Sequence, residues 1–213
     1  MRRVLVTGGG SGIGRGIARA FADAGHDVTI AGRRAEALEE TNGARSVTCV
    51  TADVCDEATV DALFEHPFDV VVANAGIGRV APLTEVTLDE WNQTIAVNLT
   101  GTFLTFRGAL RGMKSGGRLI AVASTAGLQG GPRIGAYCAS KFGVIGLTQQ
   151  MSLELAALGI RVNCVSPGSH DTDMMDGTIA RATEKYELPD GSFREQLENF
   201  IPMGRQGNVS ELA

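Results

Sequence analysis

"RVLVTGGGSGIG", residues 3–14, joins a run of apolar and β-branched residues to a glycine-rich turn, and a helical pattern follows it. In this order, the free N–H groups and the positive dipole end of the helix point at one place beyond the strand. Only small residues let a pyrophosphate approach the main chain there. The spacing is Thr-Gly-x-x-x-Gly-x-Gly rather than Gly-x-Gly-x-x-Gly, but strand, turn and helix occur in the order that a dinucleotide site requires.

The rest of the chain alternates β-branched runs with longer amphipathic segments, which is typical of βα units on a parallel sheet. The predicted strands are residues 3–7, 27–31, 46–50, 69–73, 118–122 and 160–165. The predicted helices are residues 12–24, 34–41, 56–65, 88–113 and 135–158. Right-handed crossovers then favour an α/β, Rossmann-type doubly wound parallel sheet with strand order 3-2-1-4-5-6.

A chain of 213 residues is long enough for one substantial core and short for two. We therefore expect a single domain over residues 1–213. Residues 174–205 break the alternation with mixed charge and a Pro-Asp-Gly turn, and they are interpreted as a surface excursion over the site that forms the substrate-loop region.

Composition excludes several kinds of function. The net charge of −5 argues against a nucleic-acid partner, which requires a basic face. No apolar run approaches the roughly 20 residues of a membrane helix, and no signal peptide precedes the first strand, so a cytoplasmic protein without a membrane partner is expected. The histidines are scattered and the cysteines lack Cys-x-x-Cys spacing, so no metal site is predicted. The cysteines are Cys49, Cys55, Cys138 and Cys164.

The residues after the second strand bear on the choice of cofactor. An NAD site commonly carries Asp or Glu about 20 residues beyond the glycine turn, where it binds the ribose 2′-hydroxyl. Here the sequence reads Gly32, Arg33, Arg34. A guanidinium binds a 2′-phosphate in bidentate geometry, and no carboxylate repels it. The sequence therefore favours NADP(H), with NAD(H) as the alternative.

"YCASK", residues 137–141, places Tyr137 and Lys141 at i and i+4 of a predicted helix, so that the two side chains share one face. A free tyrosine has a pKa of about 10, which is too high for proton exchange at neutral pH. A nearby cation favours the phenolate and lowers this pKa. The pair is therefore predicted to do acid–base work.

Seven motifs in order carry a resemblance to a known family. The chain is similar to the classical short-chain dehydrogenases/reductases, and the similarity spans nearly all of it. The motifs are TGGGSGIG (7–14), ADV (52–54), ANAG (73–76), VNLTG (97–101), VAST (122–125), YCASK (137–141) and SPGSHDT (166–172). The resemblance implies an NAD(P)-dependent oxidoreductase of class EC 1.1.1 that moves a hydride between nicotinamide and a carbonyl or secondary alcohol.

The resemblance also assigns catalytic roles. Tyr137 would exchange the proton with the substrate oxygen, and Lys141 would lower the tyrosine pKa and hold the nicotinamide ribose. Ser124 would hydrogen-bond the substrate oxygen, and Asn98 would hold a water of the proton relay. No metal takes part.

The cofactor residues implied fall into four groups: six in the glycine turn at the pyrophosphate, three at the adenine end, four near the ribose and four around the carboxamide. They are Gly8, Gly10, Ser11, Gly12, Ile13 and Gly14; Arg33, Asp53 and Val54; Asn74, Gly76, Tyr137 and Lys141; and Pro167, Gly168, His170 and Thr172.

Three functions remain open. The stretches STAGLQGG and ASKFGVIGLTQQMSLELA resemble 3-oxoacyl and polyketide-type ketoreductases, which is the preferred interpretation. The stretch SPGSHDTDM resembles dihydrodihydroxybenzoate dehydrogenases, which oxidise a cyclic diol with NAD. A non-catalytic nucleotide-binding homologue is the third, although such a protein would typically have lost Tyr137 or Lys141.

The family resemblance also bears on assembly and on the C-terminus. A homo-oligomer, dimer or tetramer, is expected through the helices at 88–113 and 135–158. Residues 208–213 look like the first turn of a helix. Family members continue beyond such a helix into a seventh strand, so that strand is expected to be absent and the C-terminus truncated.

Overall fold

The computed structural model describes residues 1–213, which form one six-stranded sheet with α-helices around it. The strands are β1 (Arg3–Thr7), β2 (Asp27–Gly32), β3 (Thr48–Thr51), β4 (Val70–Ala73), β5 (Arg118–Val122) and β6 (Arg161–Val165). The helices are α1 (Gly12–Asp23), α2 (Ala35–Asn42), α3 (Glu57–Leu63), α4 (Leu88–Ile95), α5 (Gly101–Leu110), α6 (Gly135–Leu155), α7 (Asp173–Lys185) and α8 (Ser192–Asn199).

The strands are parallel and lie in the order β3-β2-β1-β4-β5-β6, which confirms the predicted topology. β1 is the point of reversal, because Val4 pairs with Val28 of β2 on one side and with Val70 of β4 on the other. At such a reversal the connections leave in opposite directions and open a crevice beyond the carboxyl ends of the strands.

Because side chains alternate along each strand, they pack into two separate hydrophobic cores, one on each face of the sheet. Val4 and Val6 of β1 point to the face covered by α1 and α2, where Ile30 and Leu38 complete the cluster. Leu5 points to the opposite face and packs in the cluster that α3, α5 and α6 cover. Because successive residues of a strand face opposite sides, both faces require apolar residues, and the strands read as continuous apolar runs.

Several element boundaries differ from the sequence prediction, most by one or two residues. The predicted helix 88–113 is divided by a π-helical turn, Ala96–Thr100, and ends at Leu110. Helix α6 ends at Leu155 and a 3₁₀ turn follows it, while β3 begins two residues later than predicted. A π-helical turn is a single widened turn, so it leaves the apolar periodicity almost unchanged and gives no signal in the sequence.

The region 174–205 contains two helices, which the sequence analysis did not predict. Thr172 caps α7 by accepting a hydrogen bond from the Met175 N–H at 3.4 Å, and only Ala182 of this helix is fully buried. Because α7 buries so little apolar surface, its sequence shows no clear stripe of apolar residues at helical spacing.

Residues 208–213 form a single 3₁₀ turn, Val209–Glu211, that packs on α1. No helix is both long and apolar enough to cross a membrane.

Side chains of α1 and α2 hold the glycine-rich turn in place. The fully buried Thr41 hydroxyl lies 2.9 Å from Gly9 O and 3.0 Å from Ala37 O, and it accepts a hydrogen bond from Arg15 Nε at 3.1 Å. Arg15 Nη2 also donates to Gly10 O at 2.6 Å. Two helices are thereby joined to the main chain of the turn.

Thr41→Val is expected to lower the free energy of unfolding by about 1–2 kcal/mol, because it keeps the shape of the side chain and leaves Gly9 O and Arg15 Nε without their partner. The matched control is Thr148→Val, since Thr148 is also buried but bonds only to Val144 O within its own helix. Urea unfolding of both variants provides the measurement. Equal losses would show that the bridge to the glycine turn contributes nothing.

Candidate active site

A cavity of about 530 Å³ opens beyond the carboxyl ends of the strands. Its lining contains every residue that the sequence analysis assigned to cofactor binding, together with the predicted catalytic residue Ser124. Asn98 is the only predicted site residue that does not line it. These lining residues are Gly8, Gly10, Ser11, Gly12, Ile13, Gly14, Arg33, Asp53, Val54, Asn74, Gly76, Ser124, Tyr137, Lys141, Pro167, Gly168, His170 and Thr172. Residues from six different loops therefore share one cleft.

The glycine turn forms a cradle that side chains would fill. Gly8 has a φ of +66°, and a Cβ there would lie 2.8 Å from Ala75 Cα. A Cβ on Gly14 would lie 2.3 Å from Gly8 O, so the turn and α1 touch at their main chains. The Ser11 side chain makes no capping hydrogen bond, which leaves the first N–H groups of α1 available to a ligand. The cradle fits the pyrophosphate of a dinucleotide.

Thr7 and Asn74 fasten this turn to β4. The Thr7 hydroxyl accepts from the Asn74 main-chain N–H at 3.1 Å, and Asn74 Nδ2 donates to Thr7 O and Gly8 O at 3.0 and 3.2 Å. The sequence analysis placed Asn74 near the ribose and did not assign Thr7 a role. The position of Thr7, at the end of the strand and just before the first glycine, was the available signal.

The end of the cleft that is predicted to hold the adenine carries an uncompensated positive charge. Arg33 is exposed directly after β2 and forms no ion pair. Across the cleft, Asp53 Oδ1 accepts from the Cys55 N–H at 2.9 Å. Burial and the neighbouring Asp53 raise the pKa of the Cys55 thiol to about 11, with Arg33 acting in the opposite direction. Arg33 therefore faces this end of the cleft as a free cation.

The acid–base group lies at the other end of the cleft. Lys141 Nζ is 5.6 Å from the centroid of the Tyr137 ring, which is the convergence that the i, i+4 spacing predicts. Lys141 is 4% exposed, and its ammonium donates to Val122 O at 2.8 Å. This burial lowers the pKa of Lys141 to about 8. Ser124, 9% exposed at the end of β5, hydrogen-bonds Tyr137.

In this structure burial is the main influence on the pKa of Tyr137, and the lowering effect of Lys141 stays a prediction. Burial raises the pKa of the Tyr137 phenol, and only the hydrogen bond with Ser124 opposes the rise. The ammonium lies over the face of the ring and is bonded to Val122 O, and desolvation of the phenol is the largest influence on its pKa. The phenol therefore keeps its proton at neutral pH.

Asn98 occupies the π-helical turn and is completely buried. Its Oδ1 accepts from the Ile77 N–H at 2.8 Å, and its Nδ2 donates to Ile77 O and to Ser140 Oγ, both at 3.0 Å. Both side-chain donors are therefore used by protein groups. The side chain joins the loop after β4 to α6, and the predicted water would have to bind elsewhere than at these donors.

The predicted carboxamide residues are held by a segment that the sequence analysis did not connect to the site. His170 pairs with Gly207 in an isolated bridge, and Gly207 O accepts from the Asp171 N–H at 2.9 Å. A Cβ on Gly207 would lie 2.8 Å from His170 Nε2, so a side chain there would require the imidazole to move. No group of three or more His, Cys, Asp or Glu side chains is arranged to hold a metal ion.

Apolar side chains close the catalytic end of the cleft. They come from the loop before α6 and from α7 and α8. The set is Ile134, Met174, Met175, Phe193 and Leu197. A substrate that places its oxygen at Tyr137 would therefore lay hydrocarbon against this wall.

The comparison with known proteins identifies the family. The family model described as short chain dehydrogenase matches residues 2–182. The chain belongs to the short-chain dehydrogenase/reductase family. It is an NAD(P)-dependent oxidoreductase of the classical kind, as the seven motifs predicted.

Individual relatives differ in their reactions. The chain is 34% identical to a sorbitol dehydrogenase of Cereibacter sphaeroides, over 99% of this chain and 87% of that one. It is 35% identical to a 3-oxoacyl-(acyl-carrier-protein) reductase of Chlamydia muridarum, over 100% of this chain and 87% of that one. Among solved structures, a variant of actinorhodin polyketide ketoreductase with NADPH superimposes with a TM-score of 0.91 at 32% identity, covering 99% of this chain and 86% of that one.

Burial of Lys141 predicts a pH-dependent stability. The pKa of Lys141 is about 8 in the fold and is expected near its usual 10.5 in the unfolded chain. Between these two pH values Lys141 is protonated in the unfolded chain and largely deprotonated in the fold, so raising the pH through this window increases the free energy of unfolding. Below pH 8 Lys141 is protonated in both states, and the cost of burying its charge does not change with pH.

Lys141→Met removes this titration and keeps a buried side chain of similar length. Wild type is expected to gain on the order of 1–3 kcal/mol relative to the variant as the pH rises through that window. Urea midpoints of both proteins at several pH values provide the measurement. A difference that stays constant with pH would contradict the assigned burial of the ammonium.

Proposed function

We propose that this protein is an NADP(H)-preferring ketoreductase of the 3-oxoacyl type. The observation that carries the proposal is that the Tyr137–Ser124 hydroxyl pair, the glycine cradle and the apolar wall all line one cleft. A carbonyl oxygen at this pair would lie beside the cofactor, while the hydrocarbon of the substrate would lie against Met175, Phe193 and Leu197.

In the proposed reaction the dinucleotide supplies a hydride to the carbonyl carbon when it is bound. Tyr137 gives its proton to the carbonyl oxygen, so that the product is the alcohol and the tyrosine is left as phenolate. Burial keeps Tyr137 in the protonated form, which is the form that can give a proton to the substrate oxygen. Ser124 donates to the same oxygen and orients it. Lys141, held at Val122 O, lies close enough to stabilise the phenolate that results.

The apolar wall supports an acyl substrate. A polyol would leave its hydroxyl groups without partners against methionine, phenylalanine and leucine side chains, and this costs free energy. The 3-oxoacyl reductase relative and the polyketide ketoreductase structure agree with this choice.

A dehydrogenase of secondary diols is the second candidate, and the sorbitol dehydrogenase relative favours it. A cyclic dihydrodiol would be its other substrate type, with NAD as the oxidant. Comparing kcat/KM for a 3-oxoacyl thioester with that for sorbitol and for a cyclohexadiene diol separates the two candidates, because each predicts a preference of at least about tenfold.

Tyr137→Phe is expected to reduce kcat by at least about a thousandfold, because it removes the exchangeable proton and little else. Binding of NADPH, followed by its fluorescence, is expected to remain within about threefold of wild type. Retained turnover would exclude Tyr137 as the acid. A wild type that binds NADPH and turns over no carbonyl compound would favour the non-catalytic nucleotide-binding homologue.

The preference for NADP(H) is assigned to Arg33, which is exposed beside the adenine end of the cleft and forms no ion pair. Arg33→Ala is expected to weaken NADPH binding by about tenfold or more and to leave NADH binding almost unchanged, since only NADPH carries the 2′-phosphate.

Arg34→Ala is the matched control, because Arg34 is the adjacent exposed arginine and lines the same cavity. Titration of each variant with both nicotinamides gives the four dissociation constants. Equal weakening of NADPH and NADH in the Arg33 variant would remove the assigned preference.

Self-association through α5 and α6 is part of the proposal. Phe103 of α5 and Phe142 and Leu153 of α6 expose large apolar surfaces, of the kind that a second copy covers. Light scattering after size exclusion distinguishes monomer, dimer and tetramer.

The four cysteines are free thiols, which supports a reducing compartment such as the cytoplasm.

A further inference from the structure

A second cavity, of about 180 Å³, adjoins the cleft at the catalytic tyrosine. Four residues line both cavities: Arg79, Val80, Tyr137 and Thr178. The smaller cavity lies between the loop after β4, the start of α6 and the outer part of α7. Tyr137 therefore borders both cavities.

The charged side chains that line this cavity carry a net positive charge. Four are cationic and two are anionic: Arg79, Arg133, Arg181 and Lys185 against Glu85 and Glu90. Arg79 pairs with Glu90 at 2.8 Å, and Lys185 pairs with Glu85 at 2.5 Å. Arg133 and Arg181 are left without a carboxylate partner. An excess of two positive charges stands here in a chain whose net charge is −5.

The position of Arg133 is fixed by its surroundings. Its φ is +64°, a left-handed conformation that is uncommon for a residue with a side chain. Its carbonyl oxygen accepts from the Ala81 N–H at 2.8 Å, and its guanidinium lies 4.6 Å from the centroid of the Tyr186 ring. Such strain persists where the surrounding structure over-determines it, and it occurs often at ligand sites.

Arg181 stands at the junction of the two cavities. Its Nη2 lies 3.4 Å from the Thr178 hydroxyl, and Thr178 is one of the residues that line both cavities. The two guanidinium groups without a carboxylate partner thus come from different elements, Arg133 from the loop before α6 and Arg181 from α7.

We propose that Arg133 and Arg181 bind the carboxylate of the substrate, so that the preferred substrates are free 3-oxo acids and 3-hydroxy acids rather than their thioesters. This inference rests on the proposed ketoreductase function. The reacting carbon carries two substituents. The hydrocarbon chain lies against Met175, Phe193 and Leu197, and the CH₂–COO⁻ arm enters the smaller cavity. A guanidinium binds a carboxylate through two parallel hydrogen bonds, which distinguishes this anion from a neutral ester.

The test compares three substrates that share one acyl chain: 3-hydroxyhexanoate, its methyl ester and its N-acetylcysteamine thioester, each oxidised with NADP⁺. Wild type is expected to show the lowest KM for the free acid. R133Q and R181Q are each expected to raise that KM by about tenfold or more with little change in kcat, and to change the KM values for ester and thioester less than about twofold.

R161Q is the control, because Arg161 is exposed on β6, forms no ion pair and lines neither cavity; its kinetics are expected to match wild type. Arg181 lies on the exposed face of α7, so R181Q decides the question even where R133Q perturbs the strained loop. Equal use of acid and ester by wild type, or equal losses on both in the variants, would overturn the proposal.

Failure of the proposed function has a different outcome. If wild type oxidises none of the three substrates, the ketoreductase assignment falls, and calorimetric titration with 3-hydroxyhexanoate then decides the binding site. Binding by wild type that is lost in the R133Q/R181Q double variant supports the carboxylate site. The absence of binding, or its survival in the double variant, overturns it.

Discussion

The hydrogen bonds between Thr7 and Asn74 join the glycine turn to the end of β4, at the point where the strand order reverses. Main-chain hydrogen bonds hold parallel strands together only within the sheet. The loops beyond the carboxyl ends of the strands therefore need other hydrogen bonds to fix their positions relative to one another. The free N–H groups of α1, the close approach of Gly8 to Ala75 and the opening of the cleft all depend on this junction.

Burial governs the catalytic end of the cleft. Lys141 is taken almost completely out of solvent, with Val122 O as its hydrogen-bond acceptor, and the adjacent phenol is also desolvated. Burial makes the lysine less basic and the tyrosine less acidic, so their two pKa values, which are close to each other in free side chains, move apart. In the proposed reaction, this arrangement keeps the acid protonated and places beside it a cation that stabilises the phenolate once the proton has left.

The two ends of the cleft differ in how well the sequence alone predicts them. Glycines and strand order dictate the cradle locally, within one βα unit. The apolar wall and the charged cavity are assembled from three segments far apart in the sequence, with α7 contributing to both. Relatives that share about a third of their residues with this chain carry different substrate names, which agrees with specificity residing in this region.

The sequence by itself determined the βα order, the strand topology and the lysine one turn after the tyrosine, because these follow from apolar periodicity, glycine spacing and fixed helical geometry. Only the tertiary structure decided the π-helical turn around Asn98, the helices α7 and α8, the support of His170 by Gly207 and the direction of the Tyr137 pKa shift. Each of these depends on contacts or burial between distant segments, and such contacts leave no periodic mark on either segment alone.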